Sequence, residues 1–293
     1  MFKILDKVEL CPKICRFRIE APKVVAKAKA GQFVILRQHD KGERVPMSIG
    51  GLDKAHGVLT VVIQEVGKTS ASMNRMKTGD SFHDVVGPLG LPSHVGKFGR
   101  CVLLGGGVGI PPIYPIAQSL KEAGNQVETI IGARTKDLLI YQEELTEASH
   151  ILHIATDDGS FGTHGFVTTV LQKLMDDGTP IDFIMAIGPV PMMKAVAETT
   201  RPKNIKTWVS LNPIMVDGTG MCGACRVTVG GKTKFACVDG PDFDAHLVDF
   251  AEMTSRLKMY QKYEKTAYDR FLHSPEECSY QQTASPSGVR SDT

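Results

Sequence analysis

The chain has 293 residues, which at about 150 residues per domain predicts two domains and a sizeable buried core. Hydrophobic residues make up 42% and charged residues 23%, a balance that excludes wholesale disorder. The formal net charge of +2 is too small to favour nucleic acid or an anionic membrane as a partner. Residues 1–10 carry charged side chains and no apolar signal-peptide core, so a cytoplasmic location is expected.

Residues 1–98 are expected to form a β-barrel. Residues 33–36 and 58–63 are runs rich in β-branched side chains, separated from their neighbours by glycine, proline and aspartate. Residues 70–76 show a short helical pattern. Short strands bounded by such turn residues are typical of an all-β domain.

Residues 99–211 change to alternating strands and helices. Residues 101–104 form a continuous apolar run, typical of a strand buried on both faces of a parallel sheet. Further strands are expected at residues 127–131, 151–155, 183–187 and 207–211, and helices at 113–123, 138–147, 166–176 and 191–199. This alternation predicts an α/β doubly wound domain.

The remaining residues leave that pattern. Residues 212–250 are rich in glycine and cysteine and are expected to lack an apolar core of their own. Residues 251–272 predict a single helix of mixed charge, and residues 273–293 predict a polar, mobile tail.

Three of the seven cysteines cluster in this third part. Cys222 and Cys225 are separated by two residues, and Cys237 follows after eleven more. Two thiolates from one glycine-rich loop can bind one metal centre, and clustering of this kind indicates metal or redox chemistry. Asp217 stands where a cysteine would complete the C-x4-C-x2-C-x11-C pattern, and a carboxylate can bind ferric iron. The pattern favours a 2Fe–2S cluster held by Asp217, Cys222, Cys225 and Cys237.

Other interpretations of these four residues stay open on local sequence alone. A structural zinc ion accepts the same ligands, and buried cysteines can cluster by chance. Asp217 precedes a glycine, a position where aspartate is often a turn residue only.

A second motif follows the strand at residues 101–104. Gly105, Gly106, Gly107, Val108, Gly109 and Ile110 lead into a helix whose first turn contains prolines. Backbone N–H groups at such a point favour the pyrophosphate of a dinucleotide, and glycine lets the backbone approach it. The sixth position is isoleucine, so the motif departs from G-x-G-x-x-G, and a tight turn without a ligand is the alternative.

The order of barrel, α/β domain and cysteine motif resembles the ferredoxin–NADP reductase superfamily, and within it the electron-transfer subunits of the dihydroorotate dehydrogenase type. The resemblance covers residues 1–250. Arg44-Val-Pro46-Met47-Ser48 resembles the flavin-binding Arg-x-Pro-x-Ser segment, where arginine meets the pyrophosphate and serine the isoalloxazine ring. Gly67–Ser70 resembles the second flavin-phosphate segment, although locally it is also a simple helix cap. The resemblance implies FAD contacts at Arg44, Pro46, Met47, Ser48, Ile49, Val62, Gln64, Gly67, Lys68, Thr69 and Ser70.

The same resemblance implies a nicotinamide site at the ends of the α/β strands. Its residues would be Gly105, Gly106, Gly107, Val108, Gly109, Ile110, Ala133, Arg134, Asp157, Asp158, Gly188, Pro189 and Met192. The acidic pair after the third strand favours NAD(H), whereas Arg134 keeps NADP(H) as an alternative. Ile187 stands where many relatives carry a cysteine near the hydride path, so no side chain is assigned a catalytic role and hydride transfer is left to FAD.

Asp217 and the residues after Cys237 resemble a particular branch: the small subunit of NADH-dependent reduced ferredoxin:NADP oxidoreductase, also described as the sulfide dehydrogenase small subunit. That branch implies FAD and a 2Fe–2S cluster in this chain. It also implies a larger glutamate-synthase-like partner with flavin and 4Fe–4S clusters, ferredoxin as an indirect partner, and a role as the NAD⁺-reducing arm of electron bifurcation. The alternatives are an electron-transfer subunit of dihydroorotate dehydrogenase, a sulfide dehydrogenase subunit, a flavin reductase that feeds an oxygenase, or a non-catalytic metal-binding module.

Overall fold

The computed structural model describes residues 1–273. The first part of the chain consists of β1 (Phe2–Cys11), β2 (Ile14–Glu20), α1 (Pro22–Val25), β3 (Phe33–Arg37), β4 (Val45–Ser48), β5 (Gly51–Asp53), β6 (Val58–Gln64), α2 (Lys68–Asn74), β7 (Ser81–Phe82) and β8 (Asp84–Leu89). Two antiparallel sheets, ordered β5-β6-β2-β1-β7 and β4-β3-β8, enclose one apolar core. Alternate residues of each strand, such as Phe17 and Ile19 on β2, point into that core, as the two-residue period of a strand requires.

The second part is a doubly wound α/β domain. It consists of β9 (Arg100–Gly106), α3 (Ile110–Glu122), β10 (Gln126–Ala133), α4 (Gln142–Ala148), β11 (Ile151–Thr156), β12 (Thr163–His164), α5 (Val167–Asp176), β13 (Phe183–Ile187), α6 (Val190–Thr200) and β14 (Thr207–Ser210). These strands pair in parallel in the order β12-β11-β10-β9-β13-β14. Every residue of β9 and β13 is buried, because helices cover both faces of the sheet. The strand order reverses between β9 and β13, the place where this fold binds ligands.

The third part adds β15 (Arg226–Val229), β16 (Lys232–Phe235), β17 (Asp242–Asp244), α7 (Phe250–Leu257) and α8 (Gln261–His273). The first two of these strands form a hairpin, and β17 extends the large sheet as an antiparallel neighbour of β14. The apolar side chains of this part, including Val227 and Phe243, share a core with the α/β domain and with Phe33 and Ile35 of the barrel. Residues 212–250 therefore pack into both larger domains.

The helix expected at residues 138–147 is shorter in the structure. Lys136–Leu138 form a single 3-10 turn, Tyr141 adopts left-handed backbone angles (φ 60°), and α4 begins only at Gln142. Leu139, Ile140 and Tyr141 are all buried. Three consecutive residues cannot share one face of a helix, so an extended segment buries them where a helix would expose one.

The single helix expected at residues 251–272 is wrong, because the chain forms α7 and α8 with a break at residues 258–260. The two helices bury side chains against different partners: Phe250 and Met253 of α7 face the cysteine-rich part, whereas Phe271 of α8 lies under Arg75 of the barrel. One straight helix could not reach both. The predicted tail lies outside the described residues except for His273, which ends α8. Within residues 1–273, no helix has the length and apolar character needed to cross a membrane.

Candidate functional site

The cysteine loop brings two of its predicted ligands into contact. The sulfur atoms of Cys225 and Cys237 lie 3.1 Å apart, and both side chains are buried. Two thiolates bound to one tetrahedral metal at about 2.3 Å each would stand about 3.8 Å apart. The pair therefore fits one metal centre after a small opening, and the donor type fits an iron–sulfur cluster.

Cys222 lies on the exposed side of the same loop. The backbone N–H of Ala224 lowers the pKa of the Cys222 thiol, and the backbone N–H of Asp217 acts in the same direction. Burial raises the pKa of Cys237 to about 12, and the neighbouring Cys225 adds to that effect. Since iron binds thiolates, cluster assembly would release protons from these groups.

The Asp217 side chain forms hydrogen bonds within the cysteine loop. Its carboxylate accepts hydrogen bonds from the backbone N–H of Thr219 at 3.0 Å, from the Thr219 hydroxyl, and from the N–H of Met221 at 3.4 Å. The Thr219 hydroxyl is the largest of the influences that lower the pKa of Asp217. In the described part of the chain, no three His, Cys, Asp or Glu side chains are arranged closely enough to hold one metal ion. The structure thus places Asp217 and Cys222 in the loop of Cys225 and Cys237 but not in one coordination group with them.

The first predicted flavin segment begins against this loop. The Arg44 guanidinium donates hydrogen bonds to the carbonyl oxygens of Val216, at 3.2 Å, and Asp217, at 3.1 Å. Next to these contacts, a Cβ on Gly218 would lie 3.0 Å from Leu89 Cδ1 on β8. The left-handed angle of Gly218 (φ 81°) and this close approach both require glycine.

The same segment ends against the α/β domain. Pro46, Met47 and Ser48 lie on β4, paired with β3, while the Ile49 side chain is buried in the barrel core. A Cβ on Gly50, the next residue, would lie 3.2 Å from Pro111 in the first turn of α3. Residues 44–50 therefore touch the cysteine loop at one end and the start of the glycine-loop helix at the other.

The second predicted flavin segment lies beside the first. The Ser70 hydroxyl oxygen accepts hydrogen bonds from the backbone N–H groups of Val66, at 2.9 Å, and Gly67, at 3.0 Å, so the side chain of Ser70 caps α2. The Thr69 hydroxyl donates to the carboxylate of Glu43, which joins the two segments. Three other residues are predicted to bind flavin here: Val62 and Gln64 on β6, the first half-buried and the second exposed, and the exposed Lys68 at the start of α2. Glu43 is a site residue that the sequence patterns do not indicate.

The glycine loop follows β9 at the switch point of the sheet and packs closely on the residues that follow β13. A Cβ on Gly109 would lie 2.3 Å from the carbonyl oxygen of Ile187, and one on Gly106 would lie 2.5 Å from Met192 Sδ. Gly188 and Pro189 connect these two neighbours between β13 and α6. The structure therefore brings the predicted nicotinamide residues of both loops together. Gly105 and Gly106 are the last two residues of β9, Gly107, Val108 and Gly109 form the 3-10 turn, and the Ile110 side chain is buried in the core.

The predicted adenosine end lies at the same edge of the sheet. The backbone N–H of Asp157 donates to the carbonyl of Ala133 at 3.1 Å, and that of Asp158 donates to the carbonyl of Arg134 at 3.2 Å. The Asp158 carboxylate accepts hydrogen bonds from the hydroxyl and the N–H of Ser160, which lower its pKa. Arg134 and Asp157 are both exposed at this edge, so a cation and an anion are both available to solvent there.

The remaining described cysteines lie apart from the site. Cys11, Cys15 and Cys101 are buried, and burial raises the pKa of each thiol, for Cys101 to about 12. Buried thiols of this kind are unreactive side chains of the core. Cys278 lies outside the described residues.

Comparison with known proteins supplies the family. Residues 212–249 match the family described as the iron–sulfur cluster binding domain of dihydroorotate dehydrogenase B, and residues 103–198 match the oxidoreductase NAD-binding domain. A Thermotoga maritima protein described as a dihydroorotate dehydrogenase B (NAD(+)) electron transfer subunit homolog is 48% identical over 92% of this chain and 95% of its own length. The chain belongs to this family of electron-transfer subunits and their homologues. The Bacillus caldolyticus electron transfer subunit of dihydroorotate dehydrogenase B is 38% identical over 73% of this chain and 84% of its own length.

Solved structures agree with this family. A chain from a structure of NADH-dependent reduced ferredoxin–NADP oxidoreductase, described in terms of flavin-based electron bifurcation, superposes with a TM-score of 0.88. It is 46% identical and covers 93% of this chain and 98% of its own length. Phthalate dioxygenase reductase superposes with a TM-score of 0.55 at 17% identity over 78% of this chain and 85% of its own, which shows the shared fold alone.

Family and fold together support an oxidoreductase that uses FAD, a 2Fe–2S cluster and NAD(H). The expected family, fold class and cofactors are confirmed. The individual contacts to FAD and nucleotide, and the four cluster ligands, stay predictions.

Proposed function

We propose that this chain exchanges electrons between NAD(H) and a larger partner subunit, as the small subunit of a bifurcating NADH-dependent ferredoxin:NADP oxidoreductase. The observation that carries the proposal is the position of residues 44–50. Arg44 donates hydrogen bonds to backbone carbonyl oxygens of the cysteine loop. Gly50 packs against the first turn of α3, the helix that follows the glycine loop. A flavin held by this segment would stand between the nucleotide and the cluster.

FAD, NAD(H) and the 2Fe–2S cluster would each be held by a different part of the chain. FAD supplies the conversion between one hydride and two single electrons, and the protein supplies placement. Arg44 and Thr69 would bind the flavin phosphates, and Ser48 would lie against the flavin ring. Gly106 and Gly109 let the glycine loop pack closely on residues 187–192, because any Cβ there would clash with them. Cys222, Cys225, Cys237 and Asp217 would hold the cluster.

The exposure of the cysteine loop supports electron exchange with another protein. Cys222 is exposed, and Met221 beside it is 87% exposed. The relatives in the family are electron transfer subunits, a description that implies a second subunit. We propose a glutamate-synthase-like subunit with flavin and 4Fe–4S clusters as that partner, with ferredoxin reached through it, because of the similarity to the solved oxidoreductase.

A second candidate is an electron-transfer subunit for dihydroorotate oxidation. The match of residues 212–249 to that family's cluster-binding domain favours it. Asp217 argues against it, because the dihydroorotate type carries a cysteine at this position. A sulfide dehydrogenase subunit differs from the first proposal in its substrate alone and shares its residues.

Anaerobic purification with the native partner distinguishes these functions. The chain would be tagged in its own cells, and the co-purified protein would be identified together with the iron, acid-labile sulfide and flavin content. A glutamate-synthase-like partner with NADPH- and ferredoxin-linked NAD⁺ reduction supports the proposal. A dihydroorotate-oxidising partner contradicts it.

A further inference from the structure

The two C-terminal helices run from the cysteine loop to the flavin segments. Arg256 of α7 donates a hydrogen bond of 3.2 Å to the carbonyl oxygen of Ala224, which lies between Cys222 and Cys225. After the break at residues 258–260, α8 packs on α2 of the barrel. One stretch of chain thus contacts the parts assigned to the cluster and to FAD.

Tyr268 of α8 holds the residues that precede α2. Its hydroxyl donates a hydrogen bond of 2.6 Å to the carboxylate of Glu65, two residues before Gly67. Lys13 completes the group, with Nζ 3.9 Å from the same carboxylate oxygen and 3.5 Å from the Tyr268 hydroxyl. A hydrogen bond to a charged acceptor is stronger than one between neutral groups, so Glu65 is firmly tied to α8.

Phe271 of α8 holds the opposite end of α2. Its side chain is 3% exposed, and the guanidinium carbon of Arg75 lies 4.2 Å from the centre of its ring. Arg75 is the C-cap residue that directly follows α2. Because Tyr268 and Phe271 are three residues apart, they share one face of α8, and that face contacts both ends of the short helix.

We propose that α8 is a positioning element of the flavin site, in which Tyr268 and Phe271 hold residues 65–75 in the arrangement that binds FAD. This inference rests on the proposed function, which assigns Gly67, Lys68, Thr69 and Ser70 to FAD. A segment ordered before binding loses less conformational entropy when the ligand arrives. Without the contacts from α8, residues 65–75 would lose more conformational entropy when FAD binds. FAD would then bind more weakly and dissociate faster.

The test compares two tyrosines of the same helix in the holoprotein. Tyr268→Phe removes the hydrogen bond to Glu65, whereas Tyr263→Phe, at a residue that is 73% exposed, is the matched control. FAD release after dilution is followed by the rise of free-flavin fluorescence, with iron content measured in parallel. Tyr268→Phe should release FAD about tenfold faster than wild type, and Tyr263→Phe at the wild-type rate, both with unchanged iron.

Substitutions of the acceptor test whether Tyr268 acts through Glu65. Glu65→Ala should release FAD as fast as Tyr268→Phe, and the double variant no faster than either, because all three lack the same bond. Glu65→Gln keeps an acceptor and should recover part of the retention. Additive effects in the double variant would contradict action through this bond.

Arg44→Ala separates failure of this inference from failure of the proposed function. If Arg44→Ala releases FAD faster while Tyr268→Phe matches Tyr263→Phe, α8 has no positioning role and the flavin assignment stands. If Arg44→Ala retains FAD as wild type does, the flavin assignment is wrong and the inference falls with it.

Discussion

The guanidinium of Arg44 lies 3.1 Å from the backbone carbonyl oxygen of Asp217, although 173 positions separate the two residues in the sequence. Arg44, which we propose contacts the flavin pyrophosphate, therefore also forms a hydrogen bond with Asp217, the proposed fourth ligand of the cluster. The Thr219 hydroxyl does most to lower the pKa of the Asp217 carboxyl, and the positive charge of Arg44 lowers it a little further. A substitution of Arg44 is therefore expected to affect both the binding of FAD and the environment of the cluster.

Arg44→Ala should weaken FAD retention and also disturb the cluster. It removes the donor proposed for the flavin phosphate and two exposed hydrogen bonds to the cysteine loop. We expect FAD to dissociate at least about tenfold faster, and the electron paramagnetic resonance spectrum of the reduced cluster to shift. Arg18→Ala, which breaks a half-buried ion pair with Asp53 on the barrel, is the control and should change neither property. Unchanged spectra in both variants would show that the bond to the cysteine loop is without effect on the cluster.

Substitutions at Asp217 separate its two possible roles. Asp217→Ala removes the proposed ligand and the bonds that close the loop, so iron content should fall while FAD stays bound. Asp217→Asn keeps an acceptor for the Thr219 N–H but is a poorer ligand, and Asp217→Cys restores a thiolate. We expect iron content in the order Asp217→Cys above Asp217→Asn above Asp217→Ala. Wild-type iron content in Asp217→Ala would refute the ligand role.

Gly109→Ala should weaken nucleotide binding. The added Cβ would lie 2.3 Å from the carbonyl oxygen of Ile187, which belongs to the backbone and cannot rotate away. The loop would have to shift, and a misplacement of about 1 Å can cost up to about a hundredfold in activity. We expect the KM for NADH to rise at least about tenfold, measured with an artificial electron acceptor. Gly96→Ala, where the nearest atom lies 3.6 Å from the new Cβ, is the control and should keep the wild-type KM.

The buried carboxyl of Asp242 should make the stability of the protein depend on pH. Burial raises the pKa of this carboxyl to about 6, although the hydroxyl of Ser93 bonds it at 2.5 Å. The folded protein then holds a proton that the unfolded chain has lost between about pH 4 and pH 6, so the free energy of unfolding falls as pH rises through that range. A difference of about two pKa units corresponds to about 3 kcal/mol. Asp242→Asn should raise the melting temperature at pH 7.5 and lose this advantage towards pH 4, and parallel curves for both proteins would contradict the prediction.

Local patterns in the sequence predict a large part of this molecule. The run at 101–104 and the glycines after it predict β9, the turn and α3, because each of these features depends on neighbouring residues. The spacing of Cys222, Cys225 and Cys237 likewise predicts a common loop. Cys225 and Cys237 do meet in the structure.

Contacts between distant residues leave no such pattern. Glu65 and Tyr268 are 203 positions apart, and no sequence motif around either residue predicts their contact. The break between α7 and α8 follows from where Phe250 and Phe271 are buried, which is known only once the barrel and the cysteine-rich part are assembled. The segment at 139–141 departs from a helix for the same reason, since packing against the core decides its conformation.

We propose that electrons pass between NADH and the cysteine loop through FAD. An anaerobic titration of the purified chain with NADH, followed by visible absorbance and electron paramagnetic resonance, tests it most directly. We expect the flavin absorbance to bleach and the signal of a reduced 2Fe–2S cluster to develop in the same sample. A chain that lacks flavin, or one whose flavin is reduced while the metal at Cys222, Cys225 and Cys237 proves to be zinc, would contradict it.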